Sequence, residues 1–204
     1  MSTGYNAPFG LMPVEIRHTE IESHIYGIAT LNAATALFVG DLMMHGGTSY
    51  ATKKGTGIPA AVLASATGAL GANLGPILAI FDSNMDLFAD AAGYMPASTV
   101  GDGVVAGYVL IADSPMQRFL VQEDGAGGAV AAASVGLNAE IALGSGSTLT
   151  GLSGHTLHSS SVNTNNTYSL KILELYEFDT AATIYQRFIV MVNAHHNAPN
   201  VVGI

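Results

Sequence analysis

Seven histidines, fifteen carboxylates and no cysteine are the chemically active stock of this 204-residue chain. His155 and His158 stand three apart and His195 and His196 are adjacent. With a carboxylate such as Asp41, such residues are the right donors for zinc or nickel. On a strand, however, positions three apart face opposite sides, as do neighbours, so neither pair aims at one ion unless a loop bends it. They read as polar loop histidines or contacts with neighbouring subunits, and no metal or cofactor is expected. Asp82 with Asp86 and Glu123 with Asp124 are the carboxylate pairs. Glycoside hydrolysis needs two carboxylates facing each other across a cleft, so these read as solvated loop acids or occasional calcium ligands. Gly151-Leu152-Ser153-Gly154 lacks the second glycine of a nucleophile elbow, and the nearness of His155 in sequence makes no triad. Gly101 to Ala106, GDGVVA, matches a dinucleotide fingerprint only on paper, since that motif follows a strand and opens a helix. Here a strand follows, and the segment reads as a turn. No catalytic residue emerges, and the expectation is a protein that is not an enzyme.

The elements that would position these residues are strands. Gly107 to Gly125 reads as a hairpin: an apolar run at Tyr108–Ala112, a turn at Asp113-Ser114-Pro115, then alternation with Phe119 and Val121 on one side and Arg118 and Gln122 on the other. Further strands are expected around Ile25–Ile28, at Thr35–Val39 with Leu42–His45 as a continuation ended by Gly46-Gly47, at Ile58–Ala66, Pro76–Phe81 and Ala139–Leu143, and near Leu152–Leu157. Phe188–Val192 is apolar throughout and suits a strand buried on both faces. Alternation over Thr167–Phe178 changes phase at Leu173, which a bulge near Ile172-Leu173 explains, with a helix as rival. Met85, Phe88, Ala89 and Ala92 have helical spacing, so the region is a short helix or a polar loop with apolar plugs. Ala126–Ser134 is small residues with about one helical turn. Strands at short spacing with glycine-rich turns give an all-β fold, a single β-barrel or β-sandwich-like domain with an extended N-terminal arm and long loops. The arm is residues 1–14 and the β-rich domain residues 15–204.

Composition narrows the function. Charged residues are 10% of the chain, the net charge is −9, and only six residues are Lys or Arg. Soluble domains average about 25% charge, so this surface suits a protein that lives against neighbours. Nucleic acid is excluded as a partner for want of a basic face, Lys53-Lys54 being the lone basic pair. Without cysteine there are no disulfides or thiolate metal sites. The stretch Gly55–Phe81 has no charge, but Gly68, Gly71, Asn73, Gly75 and Pro76 interrupt it, so no membrane span is expected. The N-terminal MSTGYNAPFG lacks the regions of a signal peptide.

Residues 1–14 carry Pro8, Gly10 and Pro13, which disfavour regular structure, and Phe9, Leu11 and Met12, which need burial. Such an arm lies on its own body or on a partner; Asn6, Pro8, Phe9, Leu11, Met12 and Pro13 are the candidate interface. Its removal is expected to leave the domain folded.

Several segments occur together in consistent order: NAPFGLMPV (Asn6–Val14), TALFVGD (Thr35–Asp41), ADSPMQRFLVQEDG (Ala112–Gly125), VGLNAEI (Val135–Ile141), TGLSG (Thr150–Gly154), LKILEL (Leu170–Leu175) and VMVNAHHNAPNVVGI (Val190–Ile204). In these the chain resembles the head decoration, or capsid cement, proteins of tailed bacteriophages. Thr48 to Thr99 matches no part of that pattern and reads as an elaboration. The resemblance implies a β-rich virion protein on the outer capsid surface, made in the host cytoplasm. It would bind the major capsid protein and bridge neighbouring capsomers, with no catalytic residues to carry over. Homo-oligomers close by symmetry, so a trimer or dimer at a local capsid axis is expected. Adhesion of a virion surface domain to host glycans, and a secreted β-sandwich metal-binding enzyme, are the alternatives.

Overall fold

The computed structural model of the chain describes residues 5–14, 21–29, 35–52, 55–65, 72–88, 93–176, 179 and 183–197. Met1–Gly4 of the arm, Lys53-Lys54, residues 66–71, Ala89, Ala92, Phe178 and Pro199 lie outside them. The protein is all-β, and no α-helix forms among the described residues. The strands are β1 (Met12–Val14), β2 (His24–Ile28), β3 (Leu42–Thr52), β4 (Gly55–Leu63), β5 (Asn73–Asp82), β6 (Gly107–Ile111), β7 (Arg118–Gln122), β8 (Asn138–Ala139), β9 (Ile141–Ala142), β10 (Thr156–Leu157), β11 (Leu170–Leu175) and β12 (Arg187–Val192). Single 3-10 turns form at Ala132–Ser134 and Ser159–Ser161.

Five strands pair into a closed ring in the order β2-β4-β3-β5-β6; a second, antiparallel sheet runs β1-β7-β12-β11-β8, and β9 pairs with β10. Two apolar cores follow. One fills the ring with Tyr26, Ile28, Met43, Leu74, Ile77, Ile80, Val109 and Ile111. The other lies between the outside of the ring and the five-stranded sheet, where Leu42, Ala64 and Ala112, with Met44 and Leu78 against them, meet Phe119, Val121, Leu170, Ile172, Phe188 and Val190. Along β3, Leu42 and Met44 therefore point to the sheet while Met43 points into the ring, the period of two that a strand imposes.

Several sequence expectations need correction. Gly107–Gly125 is two strands and a turn but no hairpin: β6 pairs with β5 and β2 in the ring, whereas β7 pairs with β1 and β12 in the other sheet. The turn at Ser114–Gln117 is a crossover between sheets, and local patterning cannot distinguish this from pairing across the turn. Gly46-Gly47 does not end β3, which runs on to Thr52 with a register shift between His45 and Ser49. Thr35–Val39 forms only isolated bridges, Leu37 with Met95 and Val39 with Leu152. Ala139–Leu143 divides into β8 and β9, which belong to different sheets. Residues 48–99 supply the end of β3 (Thr48–Thr52) and all of β4 and β5, so they are integral to the ring rather than an elaboration on it. In the helix candidate, Asp82–Met85 is a turn and Phe88 packs on the ring core. The bulge at Ile172-Leu173 is present as a register shift between Ile172 and Glu174, and β12 is a central strand.

The arm lies on the chain's own body. β1 pairs with the edge of β7, and Leu11 is 1% exposed within the core facing the sheet. Gly10 and Gly40 have φ of +75° and +92° and touch so closely that a Cβ on Gly10 would sit 2.5 Å from the Gly40 carbonyl oxygen. The Leu11 N–H donates to that oxygen at 3.0 Å. Further along, Gln122 accepts the Ala7 N–H at 3.1 Å and donates to the Tyr5 and Tyr185 carbonyls at 2.7 and 3.1 Å, while Gln117 donates to the Val14 carbonyl. Removing residues up to Met12 would take Leu11 out of that core, so the truncation is expected to destabilise the domain. Gln122→Ala is expected to cost about 1–3 kcal/mol by urea unfolding and to expose the Ala7 amide to hydrogen exchange. Unchanged protection at Ala7 would show that another contact holds the arm.

Candidate functional site

Phe38-Val39-Gly40-Asp41 forms a closed turn: the Asp41 N–H donates to the Phe38 carbonyl at 3.1 Å and the Asp41 carboxylate accepts the Phe38 N–H at 2.8 Å. The turn leads directly into β3. Against it lies the segment Gly151–His155, held by hydrogen bonds from Val39 N–H to the Gly151 carbonyl (3.0 Å) and from Ser153 N–H to the Val39 carbonyl (2.8 Å). These contacts bring together Asp41, Ser153 and His155, at 2%, 1% and 2% exposure.

Their hydrogen bonds define what the cluster can do. The Leu42 N–H donates to His155 Nδ1 at 3.2 Å, which leaves the ring's other nitrogen to carry the proton. His155 Nε2 faces Asp41 Oδ1 at 3.5 Å, a long contact. Ser153 hydrogen-bonds to Asp41 and accepts the backbone N–H of His155 at 2.9 Å. The order of a catalytic triad is therefore not made: the serine leans on the aspartate, and the histidine's acceptor nitrogen is spent on backbone. Burial pushes the Asp41 carboxyl up from 3.8 to about 6, against the Ser153 and Phe38 donors that favour its ion. Burial also pushes His155 down from 6.5 to about 4. At neutral pH the cluster is an ionised carboxylate with neutral partners.

Asp41 and His155 form the buried floor of a pocket of about 420 Å³. Its walls include Thr35, Ala36, Phe38, Leu63 and Ala97, and its exposed rim is Leu143–Ser145 and Thr148. Tyr94 stacks on the Phe38 ring at 5.2 Å between centroids, and Gly146 presses on the same ring with no room for a Cβ.

The other sequence candidates are dispersed. His158 turns away from His155 towards Asp124 and Glu140, at 3.9 and 3.7 Å, and hydrogen-bonds with Ser160 at 2.8 Å. His195 is buried beside Asn73, whereas the exposed His196 stacks on His45 at 4.5 Å. Burial, and then the charge of His196, hold His45 below its ordinary value. Among the described residues no group of three or more His, Asp or Glu is placed to hold a metal ion. Asp82 Oδ1 closes a turn by accepting the Asn84 and Asp86 N–H groups. Glu123 is not a solvated loop acid: it is fully buried and accepts the Val130 N–H, while Asp124 fastens Ser159 and Ala126. Asp102 closes the GDGVVA turn through the Val104 and Val105 N–H groups. Sequence reasoning missed one further constellation, the exposed His24 hydrogen-bonded at 2.9 Å to buried Asp113, which also accepts the Tyr26 hydroxyl at 2.7 Å. That bond to Asp113 raises the His24 pKa. Its partners lie far apart in sequence, so no local signal marks it.

Of the six arm residues proposed as an interface, Leu11 is spent on the core, Phe9 and Pro13 are half-buried, and Asn6, Pro8 and Met12 are exposed. No helix among the described residues is long and apolar enough to cross a membrane. No protein-family model matches the chain, and no curated protein or solved structure matches it either.

The two perturbed groups pull stability in opposite directions with pH. Asp41 holds its proton more tightly when folded, so its contribution is complete below about pH 4 and is lost as pH rises through about 6. His155 holds its proton less tightly when folded, so its contribution is present above 6.5 and is lost as pH falls towards about 4. Asp41→Asn removes the first effect alone. Relative to the parent, the variant is expected to gain about 2 kcal/mol in urea unfolding between roughly pH 4.5 and pH 7.5. A difference that stays flat with pH would mean that Asp41 titrates normally.

Proposed function

We propose that this chain is a non-enzymatic virion structural protein that binds the outer surface of a phage capsid and stabilises it by bridging neighbouring capsomers. Its partners are the major capsid protein and further copies of itself. The observation that carries this reading is the surface: a weakly charged all-β body that leaves large apolar side chains in water, among them Tyr5 at 82% and Leu149 at 88% exposure. Leu87, Val100 and Met116 are also mostly exposed. Three segments behind the resemblance to capsid cement proteins also meet at one point, where Gly10 lies on Gly40 and Ser153. A shared packing arrangement would preserve such a meeting. Bridging works because the second contact of an attached protein is intramolecular, so modest interfaces add up to durable attachment.

The arm contributes as a fixed ridge rather than an invading strand. Pro13 lacks the N–H that a further strand would need, and a proline inside a strand is tolerated where that missing group faces away from the ladder, here the outer edge of β1. That edge is blunt. Tyr5, Asn6, Pro8 and Met12 stand out from it as side-chain contacts. Adhesion to glycans would call for a free aromatic face. Phe38, the ring at the pocket, is 6% exposed under Tyr94 and Gly146, so the pocket itself offers no such face.

Purified protein pelleted with bare phage heads and imaged by cryo-electron microscopy tests the reading. Saturable density at fixed symmetry positions is expected; absence of saturable binding would remove it. Tyr5→Asp combined with Met12→Asp is expected to weaken head binding by about tenfold or more while thermal unfolding changes little. Full binding by this folded double variant would place the contact elsewhere on the surface.

A further inference from the structure

We infer that the pocket floored by Asp41 and His155 is a binding site for an organic monocation, an ammonium or guanidinium head on a short apolar stem. The inference stands apart from the capsid reading, because it rests on the pocket alone.

Asp41 is a buried carboxylate whose partners are all neutral: a backbone N–H, the Ser153 hydroxyl and, at 3.5 Å, the His155 ring. Buried charges are ordinarily paired with an opposite charge, and no Lys or Arg among the described residues makes an ion pair with Asp41. The same carboxylate lines a space of about 420 Å³, within the range of small-ligand sites. A cation entering there would supply the missing counter-charge to the Asp41 carboxylate at the floor. On its way it passes hydroxyls of Thr35, Ser145 and Thr148, while Leu63, Ala97 and Leu143 offer apolar surface to a stem. The net charge of −9 draws cations to the molecule and repels anions. A divalent metal is a poorer fit, since hard cations take six or more oxygen ligands and the floor offers one carboxylate.

Among the described residues, Asp41 and His155 are the titratable groups that line the pocket. With the carboxyl titrating near 6 and His155 neutral above about 4, the floor is anionic at neutral pH and largely uncharged near pH 5. Cation binding should therefore weaken about tenfold between roughly pH 7.5 and pH 5.

The test is an amide chemical-shift titration of the full chain with n-butylammonium, with n-butanol as the neutral shape control. Saturable shifts at Phe38, Leu143–Gly146 and His155 are expected for the ammonium alone, weakening with acid as stated and vanishing in Asp41→Asn. The inference is overturned by equal shifts with butanol, by an affinity indifferent to pH, by an unchanged response in folded Asp41→Asn, or by no saturable shift at all. Should Asp41→Asn not fold, the butanol and pH comparisons on the parent decide alone. A parallel titration with Nα-acetyl-lysine methylamide separates the sources. Binding as tight as butylammonium points to a lysine side chain presented by a partner protein, and exclusion of the blocked lysine points to a free amine.

Discussion

A wall of strands with two buried faces governs this structure. β3 and β5 carry the core of the ring on one side and the core shared with the five-stranded sheet on the other. A strand so placed has little solvent side for charge, which is the physical reason that Asn73–Phe81 of β5 contains none. Bulk must be divided between two cores residue by residue, and Met43 and Met44, flexible enough to fill irregular gaps, do this on β3. Gly75 serves the same wall differently. A Cβ there would lie 1.8 Å from the Ala112 carbonyl oxygen, so its absence lets the chain leaving β6 cross closely over β5 towards the second sheet.

The corner at Phe38–Asp41 follows from that wall, because it is where the chain enters β3. The arm docks there through Gly10 and Leu11, and the segment Gly151–His155 docks beside it, with Ser153 against Gly10. One turn thus anchors the N-terminal arm, the returning loop and the floor of the pocket. The carboxylate that closes the turn is buried by the very segments it holds. Its raised pKa is the electrostatic consequence of that packing, and the pocket is what remains where the rim at Leu143–Ser145 stands off.

The capsid reading and the pocket draw on different parts of the molecule. The first needs the exposed ridge of the arm and the apolar side chains scattered over a sparsely charged surface, and it gains from rigidity. The second needs one buried charge without a counter-charge. A body whose edge strands are capped, β1 by its proline and β8 by the bridge from Asn138 to Asn163, presents side chains rather than open backbone to its neighbours. Recognition would then be a matter of shape and of single anchoring groups.

The sequence alone shows the all-β class, most strand positions and the central burial of Phe188–Val192, and it offers the bulge at Ile172-Leu173 beside a helical rival that the register shift removes. Each of these follows from side-chain alternation and turn chemistry within about ten residues. Only the tertiary structure decided which strands pair. Alternation reports that β6 and β7 are strands, and nothing in Asp113–Gln117 says that they part company into different sheets. The face of β7 carrying Gln122 reads as a solvent face, yet the arm covers it from more than a hundred positions away. The sequence offered Asp41 and His155 together only as metal donors, and their meeting with Ser153 in one buried cluster was not legible for the same reason. Ser153 and His155 are neighbours in sequence, but their partner Asp41 lies over a hundred residues earlier, and burial raises its carboxyl from 3.8 to about 6.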